Sequence, residues 1–178
     1  MELLDVYDKA GKRTGKIVDR SRISQDLKEG EFFQAVHVWI KNSDGQYLIQ
    51  KRSMAVKKHP GMWATTSGAV STGEDSITSA QRELSEELGI HETNMPMLFI
   101  CRSFKNKEIL DVFLVEGDYL IEELELQVSE VSQAKWSDKE EILQMVKDEE
   151  FRAYGTEYFD HVLNIDWHIG VKDENKTL

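Results

Sequence analysis

Three glutamates, Glu83, Glu86 and Glu87, stand at i, i+3 and i+4, a spacing that sets side chains on one face of a helix within a single turn. Left alone, carboxylates at that density repel and raise one another's pKa values, so they either face solvent or share a cation. Hard oxygen donors suit Mg²⁺ or Mn²⁺ better than metals that prefer imidazole or thiolate. The adjacent Arg82 can hold a carboxylate in one orientation through a charge-assisted hydrogen bond. A solvated acidic face is the ordinary alternative for a Glu-rich helix.

The element that carries these acids is legible over residues 74–88. Ile77, Ala80, Leu84 and Leu88 recur at spacings of three and four, and Gly89 is placed to end the helix in a left-handed cap. At 100° per residue the apolar stripe lies about 110° around the helix from the acids, so one face can be buried while the other lines a cleft. The loop over 57–73, with glycines at 61, 68 and 73, reads as an ordered functional loop around a short strand. Upstream, residues 32–40 are β-branched and aromatic on both alternating faces, which predicts a buried central strand. The turn Asn42-Ser-Asp-Gly45 leads into a strand over 47–52.

The chain starts with a hairpin of residues 3–7 and 16–18 around the glycine-bearing turn 9–15, then a short polar helix near 22–28. Residues 98–104 and 109–115 form a second hairpin across 105–108. A charged stretch, 116–130, crosses to a short strand near 134–136, and 138–146 and 151–164 read as amphipathic helices. No repeat or linker divides the chain, and its two prolines, Pro60 and Pro96, fall in short connections. The expectation is one domain, residues 1–178: an N-terminal hairpin and helix over 1–30, a core over 30–148, and a C-terminal helix and tail over 149–178. Strands on both sides of one helix, followed by helices, predict an α/β (α+β) fold of three layers.

The composition narrows the function. The chain has 178 residues, 40% apolar and 31% charged, enough to bury a proper core. Its formal charge of −11 opposes nucleic-acid binding by counterion release, so an anionic ligand needs metal ions or a local basic patch. Apolar runs are too short to cross a bilayer. A lone cysteine, Cys101, and the lack of a basic-then-apolar leader point to a cytoplasmic location. The partner expected is a small molecule, with no nucleic acid and no membrane, and the chain a monomer or homodimer.

Read as a string, Gly68, five residues, Glu74, seven residues, then Arg82-Glu83-Leu84-Ser85-Glu86-Glu87-Leu88-Gly89-Ile90 resembles the Nudix box, G-x5-E-x7-R-E-U-x-E-E-x-G-U with U aliphatic, at every specified position. The resemblance implies an α/β/α sandwich with a mixed sheet. It also implies hydrolysis of a diphosphate linkage in a nucleoside di- or triphosphate, or in a nucleoside diphosphate joined to another moiety, with Mg²⁺ or Mn²⁺. By motif position Glu83, Glu86 and Glu87 would be metal ligands and the backbone carbonyl at or beside Gly68 another. Arg82 would orient a carboxylate, and Glu74 would support the loop. Family members differ in the acid that activates water; Glu130 is the candidate here. Arg52, Lys57 and Lys58, beside Lys51, could clamp the diphosphate, their ordinary alternative being a solvated strand end and loop. Trp63 could stack on a base or simply pack in the core.

A narrower resemblance lies upstream of the box. Gly45-Gln-Tyr-Leu-Ile-Gln-Lys-Arg52, the lysine pair and His59-Pro-Gly-Met-Trp63 are similar to the isopentenyl diphosphate isomerase branch of the superfamily, whose members use a cysteine after this tryptophan and metal-binding histidines. Here Trp63-Ala-Thr-Thr-Ser-Gly-Ala-Val70 contains neither residue type, and Phe33 stands about where the isomerase has a histidine. The expectation is an isomerase-like scaffold carrying hydrolase chemistry. The alternatives are an isomerase and a non-catalytic nucleotide-binding module. His37, Trp39, Trp136 and Trp167 read as core, and Cys101 as an inert buried thiol.

Overall fold

The computed structural model describes residues 2–92 and 94–165. Its elements in chain order are β1 (Leu3–Tyr7), β2 (Arg13–Asp19), α1 (Ile23–Asp26), β3 (Phe33–Lys41), β4 (Tyr47–Arg52), β5 (Trp63–Ala64), β6 (Thr66–Ala69), α2 (Ser76–Leu88), β7 (Leu98–Lys105), β8 (Glu108–Glu116), β9 (Val131–Ser137), α3 (Lys139–Lys147) and α4 (Thr156–Val162).

Buried on both faces, β3 is the central strand, as its apolar alternation predicts. It runs parallel to β8 over its whole length, from Phe33 beside Glu108 to Lys41 beside Glu116. Its other edge is shared: β4 meets it only at Lys41–Tyr47, and β6 takes the stretch from Ala35 to Val38. β4 continues outward to β5 and β9, and β8 to β7, which gives a mixed sheet. Asn106 and Lys107, both at positive φ, make the tight turn between β7 and β8.

Period-two alternation sends the two faces of β3 into different layers. Val36, Val38 and Ile40 pack with Ala80, Leu84 and Leu88 of α2, whereas Trp39 packs with Ile142 and Met145 of α3 and Phe159 and Val162 of α4. Each fully buried Leu or Ile contributes roughly 1.5–3 kcal/mol by removing apolar surface from water. The result is an α/β/α sandwich. The β1–β2 hairpin adds a smaller cluster of Leu4, Val6 and Val18 against Leu27 and Ala69, bracing β6 from the side.

Several boundaries differ from the sequence expectation, each for a local reason. α2 starts at Ser76 because Asp75 caps it, accepting a hydrogen bond from the Thr78 amide at 2.8 Å. Gly89, at φ 71°, ends it as expected, with the Ile90 amide reaching the Leu84 carbonyl. Ile77, counted with the apolar stripe, is 50% exposed. The helix expected over 151–164 is confined to α4: the Trp63 amide donates to the Glu150 carbonyl and the Arg152 amide to the Trp63 carbonyl, so 150–152 lies beside β5 instead of coiling. Gly155, at φ 105°, then breaks the backbone before α4. β9 runs longer than 134–136 because the ladder to β4 continues to Val131. Cys101 is half-buried rather than enclosed. Trp167 lies outside the described residues.

Candidate active site

α2 presents its acids where β6 and β4 end against it. Gly68 of β6 faces Glu83 so closely that a Cβ at this position would sit 1.9 Å from Glu83 Oε1. Only glycine allows the carboxylate to lie on this strand. Glu83 and Glu87, one turn apart, are 8% and 2% exposed. Burial drives Glu83 up to about 7, Arg82 drawing it down and Glu86 pushing it up. Burial drives Glu87 further, to about 8, with repulsion from Glu83 adding to it.

A network of polar partners holds the acids in place. Arg82 Nη1 donates to Glu83 Oε1 at 2.7 Å and to Glu86 Oε2 at 3.1 Å, while Nε reaches Glu74 Oε1 at 3.2 Å and Nη2 the Ala69 carbonyl at 3.0 Å. Burial works against the Arg82 charge, but the hydrogen bonds to Glu74 and Glu83 keep its pKa raised. Burial also works against Glu74, which Ser79 and Arg82 hold below the usual carboxylate range. Glu74 thus ties the loop before α2 to the helix. Glu87 Oε2 accepts from Gln50 Nε2 at 2.6 Å, and Thr66 Oγ1 donates to Gln50 Oε1 at 3.2 Å. The Ser67 amide faces the same carboxylate oxygen at 3.4 Å.

Among the described residues no His, Cys, Asp and Glu side chains converge as a closed metal cage. The carboxylates engage Arg82 and Gln50 instead. The donor set nevertheless suits a hard divalent cation: two nearly enclosed carboxylates and an exposed third with one guanidinium bridging Glu83 and Glu86, beside a strand whose glycine lets the Glu83 carboxylate lie against its backbone. Glu130, in the turn just before β9, is close enough for its charge to raise Glu87, and its carbonyl accepts from the Ser53 amide at 2.7 Å.

The basic residues lie at the end of β4 and on the loop that follows it. Arg52 Nε donates to the Lys58 carbonyl at 3.0 Å, fixing the loop after β4. Lys57 and Lys58 are exposed on that loop, and neither makes an ion pair among the described residues. The Trp63 ring has Lys51 Nζ 5.7 Å and Lys135 Nζ 4.9 Å from its centroid, so its neighbours are ammonium groups of this chain. His37 is the satisfied core histidine expected: Nδ1 lies 2.7 Å from the Tyr158 hydroxyl, which accepts from Trp39 Nε1 at 2.8 Å. Burial, helped by the Arg152 charge, lowers its pKa to about 3.

Three residues, Gln50, Arg152 and Glu108, have no role that the sequence alone assigns. Gln50 was detectable as a polar residue on the same strand face as Leu48, where an apolar side chain is the default. Arg152 and Glu108 carry no local signal, because the folding of distant segments brings Arg152 to Ser67 of β6 and Glu108 beside Phe33 of β3.

The model of the family described as NUDIX domain matches residues 31–159. The chain is 38% identical to Nudix hydrolase 3 of Arabidopsis thaliana over 154 residues, covering 79% of this chain and only 20% of that protein. It is 33% identical to an uncharacterized Nudix hydrolase of Listeria monocytogenes over 156 residues, covering 86% of this chain and 90% of the relative. An isopentenyl-diphosphate Delta-isomerase of Salmonella arizonae is 27% identical over 118 residues, 61% of this chain and 63% of the enzyme. In fold, the chain superposes on a Deinococcus radiodurans crystal structure with a TM-score of 0.75 at 19% identity, covering 89% of this chain and 98% of that one.

Proposed function

The chain belongs to the NUDIX domain family, and we propose on that premise that it is a metal-dependent hydrolase of a diphosphate linkage. The substrate class proposed is a nucleoside di- or triphosphate, or a nucleoside diphosphate joined to another moiety, acted on in the cytoplasm by a monomer or homodimer. The observation that carries the reading is the pair Glu83 and Glu87, buried side by side with their acidities pushed to about 7 and about 8. Such a pair is costly without a cation.

Glu83, Glu86 and Glu87, with the carbonyl at Gly68, would hold Mg²⁺ or Mn²⁺. When bound, the metal neutralises phosphate oxygens and acidifies the attacking water. The chain's own residues then have separate tasks. Arg82 fixes the Glu83 and Glu86 carboxylates from one side, and Gln50, itself held by Thr66, fixes Glu87 from the other. Arg52, Lys57 and Lys58 bind the diphosphate, their charges offsetting an otherwise acidic protein. Glu130 receives the proton of the attacking water.

The isomerase reading has the relatives at about one quarter identity in its favour, but position 67 carries a serine. A serine hydroxyl is too weak an acid to protonate an alkene without help. The test is a panel of nucleoside di- and triphosphates, nucleotide sugars, dinucleotides and isopentenyl diphosphate with Mg²⁺ or Mn²⁺. We expect metal-dependent cleavage of at least one nucleoside-containing diphosphate and no dimethylallyl product. Catalytic deuterium uptake from D₂O into the isoprenoid skeleton would overturn the hydrolase reading in favour of the isomerase. A nucleotide bound but never cleaved would favour the non-catalytic module.

A further inference from the structure

Ser67 joins two environments. Its amide faces Glu87 at 3.4 Å, and its hydroxyl lies 3.4 Å from Arg152 Nη1 on the other face of the sheet, the side covered by α3 and α4. On that side, Ser67 of β6 is opposite His37, Ala69 is opposite Ala35, and Phe33 is opposite Glu108. From the level of Ser67 to that of Glu108 is four residues of β3, about 13 Å at the strand rise. The β3 residue between them on this face is Ala35, 8% exposed, which presents only a methyl group. Phe33, Ser67 and Glu108 are all half-buried.

The polar groups on this strip are short of partners. The Glu108 carboxylate makes no hydrogen bond or ion pair among the described residues, although burial pushes its pKa up and the charge of Arg152 is near enough to pull it back. Among the described residues the Arg152 guanidinium has the long contact to Ser67 and a place 5.1 Å from the Tyr154 ring centroid. Among the described residues the buried Tyr154 hydroxyl has no hydrogen-bond partner; the Thr65 amide is near it but outside bonding geometry. A half-buried carboxylate and a half-buried guanidinium that border one strip without pairing with each other can both pair with a third group lying between them.

We propose that this strip is the recognition subsite for the organic moiety of the substrate, and that it selects a nucleobase bearing an exocyclic amino group. Glu108 accepts from the amine, as carboxylates do from cytosine N4, and Arg152 donates to oxygen acceptors nearer the phosphate end. Ser67 is the point where the strip meets the acid cluster, so a nucleoside lying along it directs its phosphates toward Glu83 and Glu87. Uracil presents a carbonyl oxygen where the others carry the amine, so Glu108 faces an acceptor and stays unpaired. A hydrocarbon chain would leave both charges desolvated and unmatched, a penalty the isoprenoid diphosphates cannot avoid. The inference rests on the hydrolase reading for the position of the phosphates, and the base preference can be tested without turnover.

The experiment is calorimetric binding of CMP, AMP and UMP, which have no diphosphate linkage to cleave, to the full chain and to Glu108→Gln, Arg152→Ala and Arg152→Lys. The native chain should bind CMP and AMP about tenfold more tightly than UMP. Glu108→Gln should bring that ratio close to one, because an amide can donate to the uracil carbonyl. Arg152→Ala should weaken all three ligands together, and Arg152→Lys should recover part of the loss. Equal affinities for the three nucleotides, no binding of any, or an unchanged ratio in Glu108→Gln would each overturn the inference. Metal-dependent hydrolysis without base preference would sink this subsite and leave the hydrolase reading standing. Base-selective binding with no hydrolysis of any diphosphate would do the reverse.

Discussion

Buried carboxylates occur in two places on the α2 side of the sheet, and the protein compensates them differently. Asp111 of β8 is fully buried, and its oxygens accept from Arg102 Nε at 2.6 Å, Arg102 Nη2 at 2.7 Å and Gln34 Nε2 at 2.8 Å. One charge meets one guanidinium in a two-point fork, and nothing is left over. In the other place, Glu74, Glu83 and Glu86 share the guanidinium of Arg82, and Glu87 is met by the neutral amide of Gln50. The first group is complete without any ligand. The second carries a surplus of negative charge, which a folded protein tolerates when binding a cation requires it.

The largest effect that would separate the two groups is on turnover. Glu86→Gln or Glu87→Gln should lower kcat by about 10²–10⁴, comparable to losing a main electrostatic stabiliser, while circular dichroism shows an intact fold. Full activity in both variants would place the surplus charge outside the reaction. Arg102→Leu should act on stability instead, costing about 3 kcal/mol in urea denaturation because it leaves Asp111 buried and unpaired; the partial exposure of Arg102 keeps the loss at the low end of the range for buried pairs. A loss below about 1 kcal/mol would mean that Asp111 is not held as a completed pair.

The pH dependence of stability gives the next effect, with opposite signs in two regions. His37 has its pKa lowered in the fold from 6.5 to about 3. Between those values the unfolded chain binds the extra proton, so this contribution to stability falls as pH drops below 6.5, by a few kcal/mol in full. Glu83 and Glu87 are raised in the fold, so in metal-free buffer the folded protein binds the extra protons and their contribution falls as pH rises from about 4.5 toward 8. Thermal melts in EDTA should show the acid-side loss flattened in His37→Gln and the alkaline-side loss flattened in Glu87→Gln. Unchanged slopes would contradict the assignments.

A smaller stability change should accompany the substitution itself. In EDTA at pH 8, Glu87→Gln should be more stable than the native chain by about 1 kcal/mol, since repulsion from Glu83 is removed; a clear loss would mean that Glu87 is structurally paired like Asp111. Smallest of all, Arg52→Ala should raise KM more than it lowers kcat if its contact with the diphosphate is uniform between ground and transition states. Unchanged kinetics in Arg52→Ala and in the Lys57/Lys58 double alanine would remove the clamp.

The difference between the two acidic groups also explains what the sequence could disclose. The α2 acids are local: spacing sets Glu83, Glu86 and Glu87 on one turn, and Gly68 and Gly89 mark the close approach and the cap. The central strand and the layered architecture follow from hydrophobic alternation, which the β3 faces obey. Asp111 and Gln34, by contrast, are 77 positions apart and meet only because β3 and β8 pair in parallel. Arg152 reaches Ser67 across 85 positions, from a segment whose apolar residues suggested helix but whose backbone pairs with Trp63. Periodicity carries no information about such partners, since a backbone pairing far away decides them.

The central claim, that the surplus carboxylate charge of α2 is the site of a divalent cation, is tested most directly by thermal unfolding during a Mn²⁺ titration of the native chain and a Glu83→Gln/Glu87→Gln double variant. A ligand that binds only the folded state at a hundred times its Kd stabilises by about 2.7 kcal/mol. The native chain should show a saturable rise in Tm approaching that size, and the double variant, with a higher starting Tm in EDTA, should show little or none. Equal shifts in both proteins, or no shift in the native chain, would contradict the claim.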